Sequence, residues 1–201
     1  MDGDRPKVAV AVSGSGRTLE NLIARTHDGS LSAEIVLVIG SKPCRGVEIA
    51  QEAGIAAVVE RGVIPARNLL SLLEDARAEW LVLAGYLKLV DIPAPYEGRV
   101  VNIHPALLPD FGGAGMYGTR VHEAVLEAVR RGEIDRTGCT VHLCDGEFDR
   151  GQVVHQASCP VLPNDTAADI AARVFDLELK AYPAALRQLF ATERAVGRKA
   201  E

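Results

Sequence analysis

The sequence predicts an α/β fold in which a mostly parallel sheet carries helices on both faces. From residue 7 to residue 104, short apolar runs alternate with amphipathic helical segments. The runs are apolar on both faces, as is typical of buried parallel strands. In the last third of the chain, two strand-like runs follow each other without a helix between them. This change predicts an antiparallel extension at one edge of the sheet, near the C-terminal part.

The first half of the chain alternates strand and helix. The helical pattern after the first strand carries Leu19, Leu22 and Ile23 on one face, and further helices are expected at 47–53, ended by Gly54, and at 66–78. The predicted strands are 7–12, 33–39, 55–59, 79–85 and 99–104. Alternation of this kind indicates a Rossmann-like sheet.

The second half predicts a helix at 121–130, strands at 138–143 and 152–157, and a last helix that opens at "PNDTAADI". Asn164 or Asp165 is the expected N-cap of that helix, which runs past Glu178, and Pro183 is expected to end or kink it. No repeat or composition break divides the chain. We therefore expect a single domain over 1–201, with a core at about 6–190 and a frayed, charged tail at about 194–201.

Composition narrows the function classes. The chain has 201 residues, 48% of them apolar, and a formal net charge of −5 without a basic block. Nucleic-acid partners normally require a basic face, so none is expected, and the apolar runs are too short to cross a membrane. The acidic N-terminus does not resemble a signal peptide, and four cysteines without a Cys-x-x-Cys pair suggest reduced thiols and no metal. These features predict a cytoplasmic protein with small-molecule partners.

The stretch "VSGSGRTL" at 12–19 lies at a strand-to-helix turn, where anions commonly bind. A dinucleotide turn has a third glycine and an acidic residue at the end of the next strand. Here Leu19 takes the third position, and the second strand ends next to the basic Lys42. NAD is therefore not expected.

A single phosphate requires less of the same turn. Backbone N–H groups at a helix N-terminus can bind it together with nearby hydroxyl and cationic side chains, which Ser15, Arg17 and Thr18 supply. The alternative is that the turn needs Gly14 and Gly16 only for its backbone shape. The stretch by itself leaves both interpretations open.

A second group of polar residues follows the fifth strand. Asn102 and His104 lie on one face of that strand, at its carboxyl end, where chemistry collects in parallel sheets. An amide donor beside a histidine suits a reaction that builds negative charge on an oxygen. A buried histidine in a capped turn is the structural alternative.

Asp149 lies in the loop between the two late strands. A carboxylate beside His104 would raise the pKa of the imidazole, so that the ring could donate a hydrogen bond to an oxyanion near neutral pH. Spacing does not establish that the two residues meet, and a charged loop such as 145–150 is often simply solvated.

The order and spacing of several motifs resemble the folate-dependent glycinamide ribonucleotide formyltransferase family. These motifs are "VSGSGRTL", "WLVLAGYLKLV", "VVNIHPALLPDF", "TGCTVHLCDGEFDRGQVVHQ" and "DLELKAYP". The resemblance covers about residues 6–190. It implies transfer of a formyl group from 10-formyltetrahydrofolate, as co-substrate, to the amine of 5'-phosphoribosylglycinamide in purine biosynthesis, by a monomer or homodimer without metal or NAD.

The resemblance also implies roles for individual residues. His104 would stabilise the tetrahedral intermediate and handle a proton, Asn102 would bind the oxyanion, and Asp149 would set the charge of His104. The ribonucleotide would be bound by Gly16, Arg17, Thr18 and Glu178. The formyl-folate would be bound by Arg67, Leu87, Lys88, Leu89, Val90, Asn102, Asp145, Gly146, Glu147, Phe148 and Asp149.

Two features depart from the family pattern. The phosphate loop often reads Gly-Ser-Asn, whereas here it reads Gly16-Arg17-Thr18. The segment at 110–118 is longer and richer in glycine than in shorter members, which suggests a flexible flap over the site, and His122 beyond it is expected to pack at the core edge. Other functions remain open at this stage: a formyl-folate hydrolase, another formyltransferase of the same fold, or a non-catalytic phosphate-binding module.

Overall fold

Seven strands form one sheet in residues 5–197, the part of the chain that the computed structural model describes. The strands are β1 (Lys7–Val12), β2 (Glu34–Gly40), β3 (Ala57–Val59), β4 (Trp80–Leu83), β5 (Val100–His104), β6 (Arg136–Leu143) and β7 (Val153–Pro160). The helices are α1 (Arg17–His27), α2 (Arg45–Glu52), α3 (Ala66–Asp75), α4 (Thr119–Arg130) and α5 (Ala167–Gly197), with a 3-10 turn at Ala94–Tyr96.

The strand order is β3-β2-β1-β4-β5-β6-β7. Strands β1 to β5 pair in parallel, whereas β6 pairs antiparallel with β5 and β7 antiparallel with β6. The predicted α/β class and its antiparallel extension are confirmed. Because β1 lies between β2 and β4, the chain turns in opposite directions after β1 and after β4. The loops that follow these two strands separate there and open a crevice.

Two apolar layers cover the two faces of the sheet. Side chains alternate along each strand, so Val8, Val10 and Val12 of β1 face α1, α2, α4 and α5. The alternate residues Ala9 and Ala11 face α3. These layers fix the positions of the strand ends that carry the site. No helix within residues 5–197 is both long and apolar enough to cross a membrane.

The N-cap of α5 is Thr166, and the prediction of Asn164 or Asp165 was wrong. The Thr166 Oγ1 accepts a hydrogen bond from Asp169 N at 3.2 Å, and the Asp169 carboxylate accepts one from Thr166 N at 2.9 Å. This reciprocal pair is a capping box. Asp165 instead accepts hydrogen bonds from the Arg173 guanidinium, at 2.5 and 2.9 Å.

Helix α5 continues through Pro183, which was predicted to end or kink it. Proline has no N–H, so the carbonyl of Leu179, four residues earlier, loses its helical partner. The side-chain amide of Asn21, on α1, donates to that carbonyl at 3.1 Å. A partner from another helix thus replaces the missing bond. The helix is described through Gly197, and the rest of the predicted frayed tail, 198–201, lies outside the described residues.

We expect Asn21→Ala to lower the free energy of unfolding by about 1 kcal/mol, because the Leu179 carbonyl is left without a partner. Urea denaturation monitored by circular dichroism measures the change. In a Pro183→Ala background the new N–H at position 183 can bond the carbonyl, so the loss on Asn21→Ala should shrink. Equal losses in the two backgrounds would contradict this role of Asn21.

Candidate active site

A cleft of about 490 Å³ opens at the carboxyl edge of the parallel strands. The segments that follow β1, β4 and β5 line it, together with the starts of α1 and α4 and one face of α5. The residues of these segments are 13–18, 84–87, 102–105, 113, 115–119, 122, 148–149, 171, 175 and 178. This is the edge at which the sequence predicted the chemistry.

In the glycine turn after β1 the backbone shape requires Gly16, and phosphate binding stays a prediction. Gly16 has a φ of +76°, and a Cβ there would lie 2.6 Å from the Gly46 Cα, so glycine is required where α1 packs against α2. Nothing lies within 4 Å of a Cβ placed on Gly14, which borders the cleft. No side chain caps the N-terminus of α1. Its first N–H groups therefore remain available to an anion beside Arg17 and Thr18, which also line the cleft.

Helix α5 supplies the opposite side of this end of the cleft. Glu178 lines it as the sequence predicted, and burial raises the pKa of its carboxyl to about 7 against the opposing charge of Arg17. Phe175, one turn earlier on the same helix, lies under the Arg17 guanidinium, with Cζ 3.9 Å from the ring centroid. Sequence reasoning missed Phe175, although its spacing of three residues from Glu178 places both on one helix face.

The structure brings His104 and Asp149 together. His104 is the last residue of β5 and is only 3% exposed. Its Nδ1 lies 3.4 Å from the Asp149 Oδ2, and its Nε2 donates to the Phe111 carbonyl at 2.8 Å. The imidazole is thus held between the late loop and the flap at 110–118.

Asp149 connects three parts of the site. Its Oδ2 accepts a hydrogen bond from Gly113 N at 3.0 Å, and its Oδ1 lies 3.5 Å from His142 Nε2. The residue has a φ of +58°, which is uncommon for a side chain other than glycine and turns the carboxylate inward. Gly112 permits the close approach of the flap, since a Cβ there would lie 3.1 Å from the Asp149 Cβ.

Burial lowers the pKa of His104 below its ordinary value, although the Asp149 carboxylate raises it as expected. Burial disfavours the charged ring and outweighs both the Asp149 carboxylate and the Phe111 carbonyl, which favour it. For Asp149 the balance is reversed: burial raises its pKa, but contacts with His142, His104 and the Gly113 N–H bring it below the ordinary value. An ionised carboxylate therefore faces a mostly neutral imidazole at pH 7.

Strand β6 contributes residues that sequence reasoning did not place in the site. His142 pairs across the strands with Asn102, whose Nδ2 donates to His142 Nε2 at 3.1 Å. The His142 Nδ1 then donates to the Leu143 carbonyl at 3.0 Å. This chain of bonds uses one N–H of the Asn102 amide and fixes the direction of the other.

Thr140 pairs across the strands with His104. Its hydroxyl donates to the Ala106 carbonyl at 2.7 Å and accepts from Leu108 N at 3.0 Å. The loop that leaves His104 is therefore attached to β6. Both Thr140 and His142 follow from the register between β5 and β6. The sequence does not give this register, because it does not show which strand pairs with β6.

A second, smaller cavity of about 50 Å³ adjoins the cleft. Most of the residues predicted to bind the folate line it, namely Lys88, Leu89, Val90, Asn102, Gly146, Glu147, Phe148 and Asp149. Asn102, Phe148 and Asp149 also line the larger cleft, as does the predicted Leu87. Asp145 lines neither cavity and accepts a bond from Glu147 N at 3.1 Å. Arg67 is exposed on α3 and lines neither cavity.

The segment predicted to form a flap borders the cleft through Gly113 and 115–118. His122, on α4, is 6% exposed, in agreement with the packing expected of it, but it also lines the cleft. Its Nδ1 has no hydrogen-bond partner in the described part of the chain, and burial lowers its pKa.

Comparison with known proteins places this geometry in a family. The model of the family described as formyl transferase matches residues 6–186. The chain belongs to the formyl transferase family. A chloroplastic phosphoribosylglycinamide formyltransferase of Arabidopsis thaliana is 38% identical over 189 residues, which are 89% of this chain and 63% of the relative. The chain thus spans less than two thirds of that plant relative.

Solved structures of this family share the fold along nearly their whole length. Phosphoribosylglycinamide formyltransferase from Brucella melitensis is 37% identical with a TM-score of 0.81, covering 94% of this chain and 97% of its own. Glycinamide ribonucleotide transformylase 1 from Symbiobacterium toebii is 30% identical with a TM-score of 0.81, and the match covers 93% of this chain and 88% of that protein. The resemblance inferred from the sequence motifs is confirmed.

We expect Asp149→Asn to lower the pKa of His104 further, because the carboxylate is the main group that favours the charged ring. Titration of the imidazole nitrogen shifts by NMR measures this. Glu147→Gln, which removes a carboxylate from the exposed part of the same loop, is the matched control and should leave the His104 titration in place. An unchanged or higher His104 pKa in Asp149→Asn would refute the coupling.

We expect Glu178→Gln to flatten the dependence of stability on pH. The folded-state pKa is raised from 4.5 to about 7, so the folded protein holds this proton more tightly than the unfolded chain. Stability is then lost as the pH rises from about 4.5 through 7, by on the order of 3 kcal/mol. Urea denaturation at pH 5 and pH 8 should show a smaller fall for the variant than for the unmodified chain. An identical fall in both proteins would argue against a buried Glu178 carboxyl.

Proposed function

We propose that this chain transfers the formyl group of 10-formyltetrahydrofolate to the amine of 5'-phosphoribosylglycinamide. The proposal rests on one observation: Asn102 and Asp149 line both cavities, so the two cavities meet at these residues. A transfer between two small molecules requires their reacting atoms to meet beside groups that stabilise charge. The comparisons support the choice of substrates, since relatives that share most of this chain carry that activity in their names.

The larger cleft suits the ribonucleotide. Its phosphate would bind at the N-terminus of α1, with the N–H groups and side chains of Gly16, Arg17 and Thr18 as donors. Glu178, across the cleft, would accept hydrogen bonds from the ribose hydroxyls. The glycinamide amine would then point toward Asn102 and His104.

The smaller cavity suits the ring system of the formyl-folate. Its wall contains the apolar side chains of Leu83, Leu89, Val90 and Ile92, which favour a flat heterocycle. Gly146 and Glu147 supply polar groups at its edge. The formyl group would reach the junction beside Asn102.

The chain's own residues account for the transfer. The amine attacks the formyl carbon, a C–N bond forms, and negative charge develops on the formyl oxygen. The Asn102 amide, held by His142, would donate to that oxygen. With Nδ1–H directed at Asp149 and the Phe111 carbonyl displaced by the substrates, the His104 Nε2 would accept a proton from the attacking nitrogen and deliver it to the departing folate nitrogen. The Asp149 carboxylate stabilises the imidazolium that exists between these two steps.

We also propose that the chain acts in the cytoplasm as a monomer or homodimer.

The proposal is tested by following folate deformylation spectroscopically, with and without the ribonucleotide. We expect turnover only when both substrates are present, and a fall in kcat of about 100-fold or more for His104→Ala. His27→Ala, which removes an exposed histidine at the end of α1, is the control and should keep full activity.

Three results would contradict the proposal. Deformylation without the ribonucleotide would indicate a hydrolase. Absence of turnover with both substrates would indicate a non-catalytic phosphate-binding module. Full activity in His104→Ala would refute the proton transfer assigned to His104.

A further inference from the structure

The Arg17 guanidinium rests on an aromatic ring rather than on a carboxylate. Its Cζ lies 3.9 Å from the centroid of the Phe175 ring. Arg17 forms no salt bridge within the part of the chain that the structure describes, although Glu178 lines the same end of the cleft. A positive side chain at the mouth of a cleft is thus held without being neutralised.

The two ways of holding an arginine differ in what they leave free. A carboxylate pairs with the N–H edge of the guanidinium and uses its in-plane donors. An aromatic ring contacts the flat face through its quadrupole, and the N–H groups around the edge stay available. Stacking on Phe175 therefore orients the Arg17 donors while leaving both their charge and their hydrogen-bonding capacity for a ligand.

We propose that Phe175 is a positioning residue that holds Arg17 beside the N-terminus of α1, with its N–H edge free for the phosphate of the substrate. This inference rests on the function proposed above and assigns a role in it to a residue on α5. Helix α1 begins at Arg17 itself, so the stacked guanidinium and the uncapped N–H groups of the first turn lie at one end of the cleft. A dianion bound there would meet both sets of donors at once.

The state of Glu178 supports this arrangement. Burial raises the pKa of its carboxyl to about 7, so near neutral pH a large part of the population carries no charge. A protonated Glu178 does not compete for the Arg17 donors. The aromatic ring is then the group that determines where the guanidinium lies.

The first test compares Michaelis constants. We expect Arg17→Ala to raise the KM for the ribonucleotide by about tenfold or more, since bonds to a charged group are lost. Phe175→Leu should raise the same KM by about two- to fivefold, the effect of one exposed cation–π contact, with little change in the KM for the folate. Phe175→Tyr, which keeps an aromatic face, should restore most of the affinity. Lys42→Ala removes a cation at the end of β2 that lines neither cavity, and it serves as the charge control.

The decisive measurement is the coupling between the two residues. If Phe175 acts through Arg17, then Phe175→Leu should have no further effect once Arg17 is alanine. Incorporation of pentafluorophenylalanine at position 175 keeps the shape of the ring but withdraws the electrons that attract the cation, so it should raise the KM as Phe175→Leu does. Because the fluorinated ring keeps the shape of Phe175, this variant still tests the contact if Phe175→Leu folds poorly.

Binding of ribose 5-phosphate, measured by calorimetry, separates this inference from the proposed function. The unmodified chain should bind it several-fold more tightly than Phe175→Leu, whatever reaction it catalyses. An equal loss on Phe175→Leu with or without Arg17, or affinity unchanged by the fluorinated ring, would overturn the positioning role. No binding of ribose 5-phosphate by the unmodified chain would overturn it as well, whereas binding without formyl transfer would overturn only the proposed function.

Discussion

The arrangement of the site depends on the buried carboxylate of Asp149, which needs polar partners. A carboxylate taken from water is costly unless hydrogen-bond donors and positive groups surround it. Here the Gly113 N–H donates to the carboxylate, and ring nitrogens of His104 and His142 lie 3.4 and 3.5 Å from its oxygens. Those partners come from the flap, from β5 and from β6, so satisfying one group brings three segments into contact. The left-handed backbone of Asp149 and the missing side chain of Gly112 both serve this contact.

The antiparallel extension of the sheet gives β5 a neighbour whose side chains can act as supports. Helix α4 lies between β5 and β6 in the chain, and β6 then pairs with β5 in the antiparallel direction. Its register places His142 opposite Asn102 and Thr140 opposite His104. Each residue proposed to act on the substrate therefore has a partner on a rigid strand, which limits the orientations open to the amide and to the loop after the imidazole.

The sequence predicts most of the strands and helices, because apolar periodicity and glycine turns depend only on residues close together in the chain. Features that depend on distant residues were missed. Pro183 does not end α5, since Asn21 on another helix bonds the carbonyl that proline leaves free. In the site, motifs identified His104 and Asp149, but the sign of the His104 pKa shift depends on burial, which spacing does not show. His142 and Phe175 were missed for the same reason: their roles come from register and from helix packing.

The charge of the chain makes local hydrogen-bond donors important for the binding proposed above. The chain is net negative, and both proposed substrates carry negative groups, so binding relies on local donors. Arg17 and the uncapped start of α1, which line the cleft, would provide such donors. The Arg17 guanidinium stacks on Phe175, whereas the Asp149 carboxylate lies beside the imidazoles of His104 and His142.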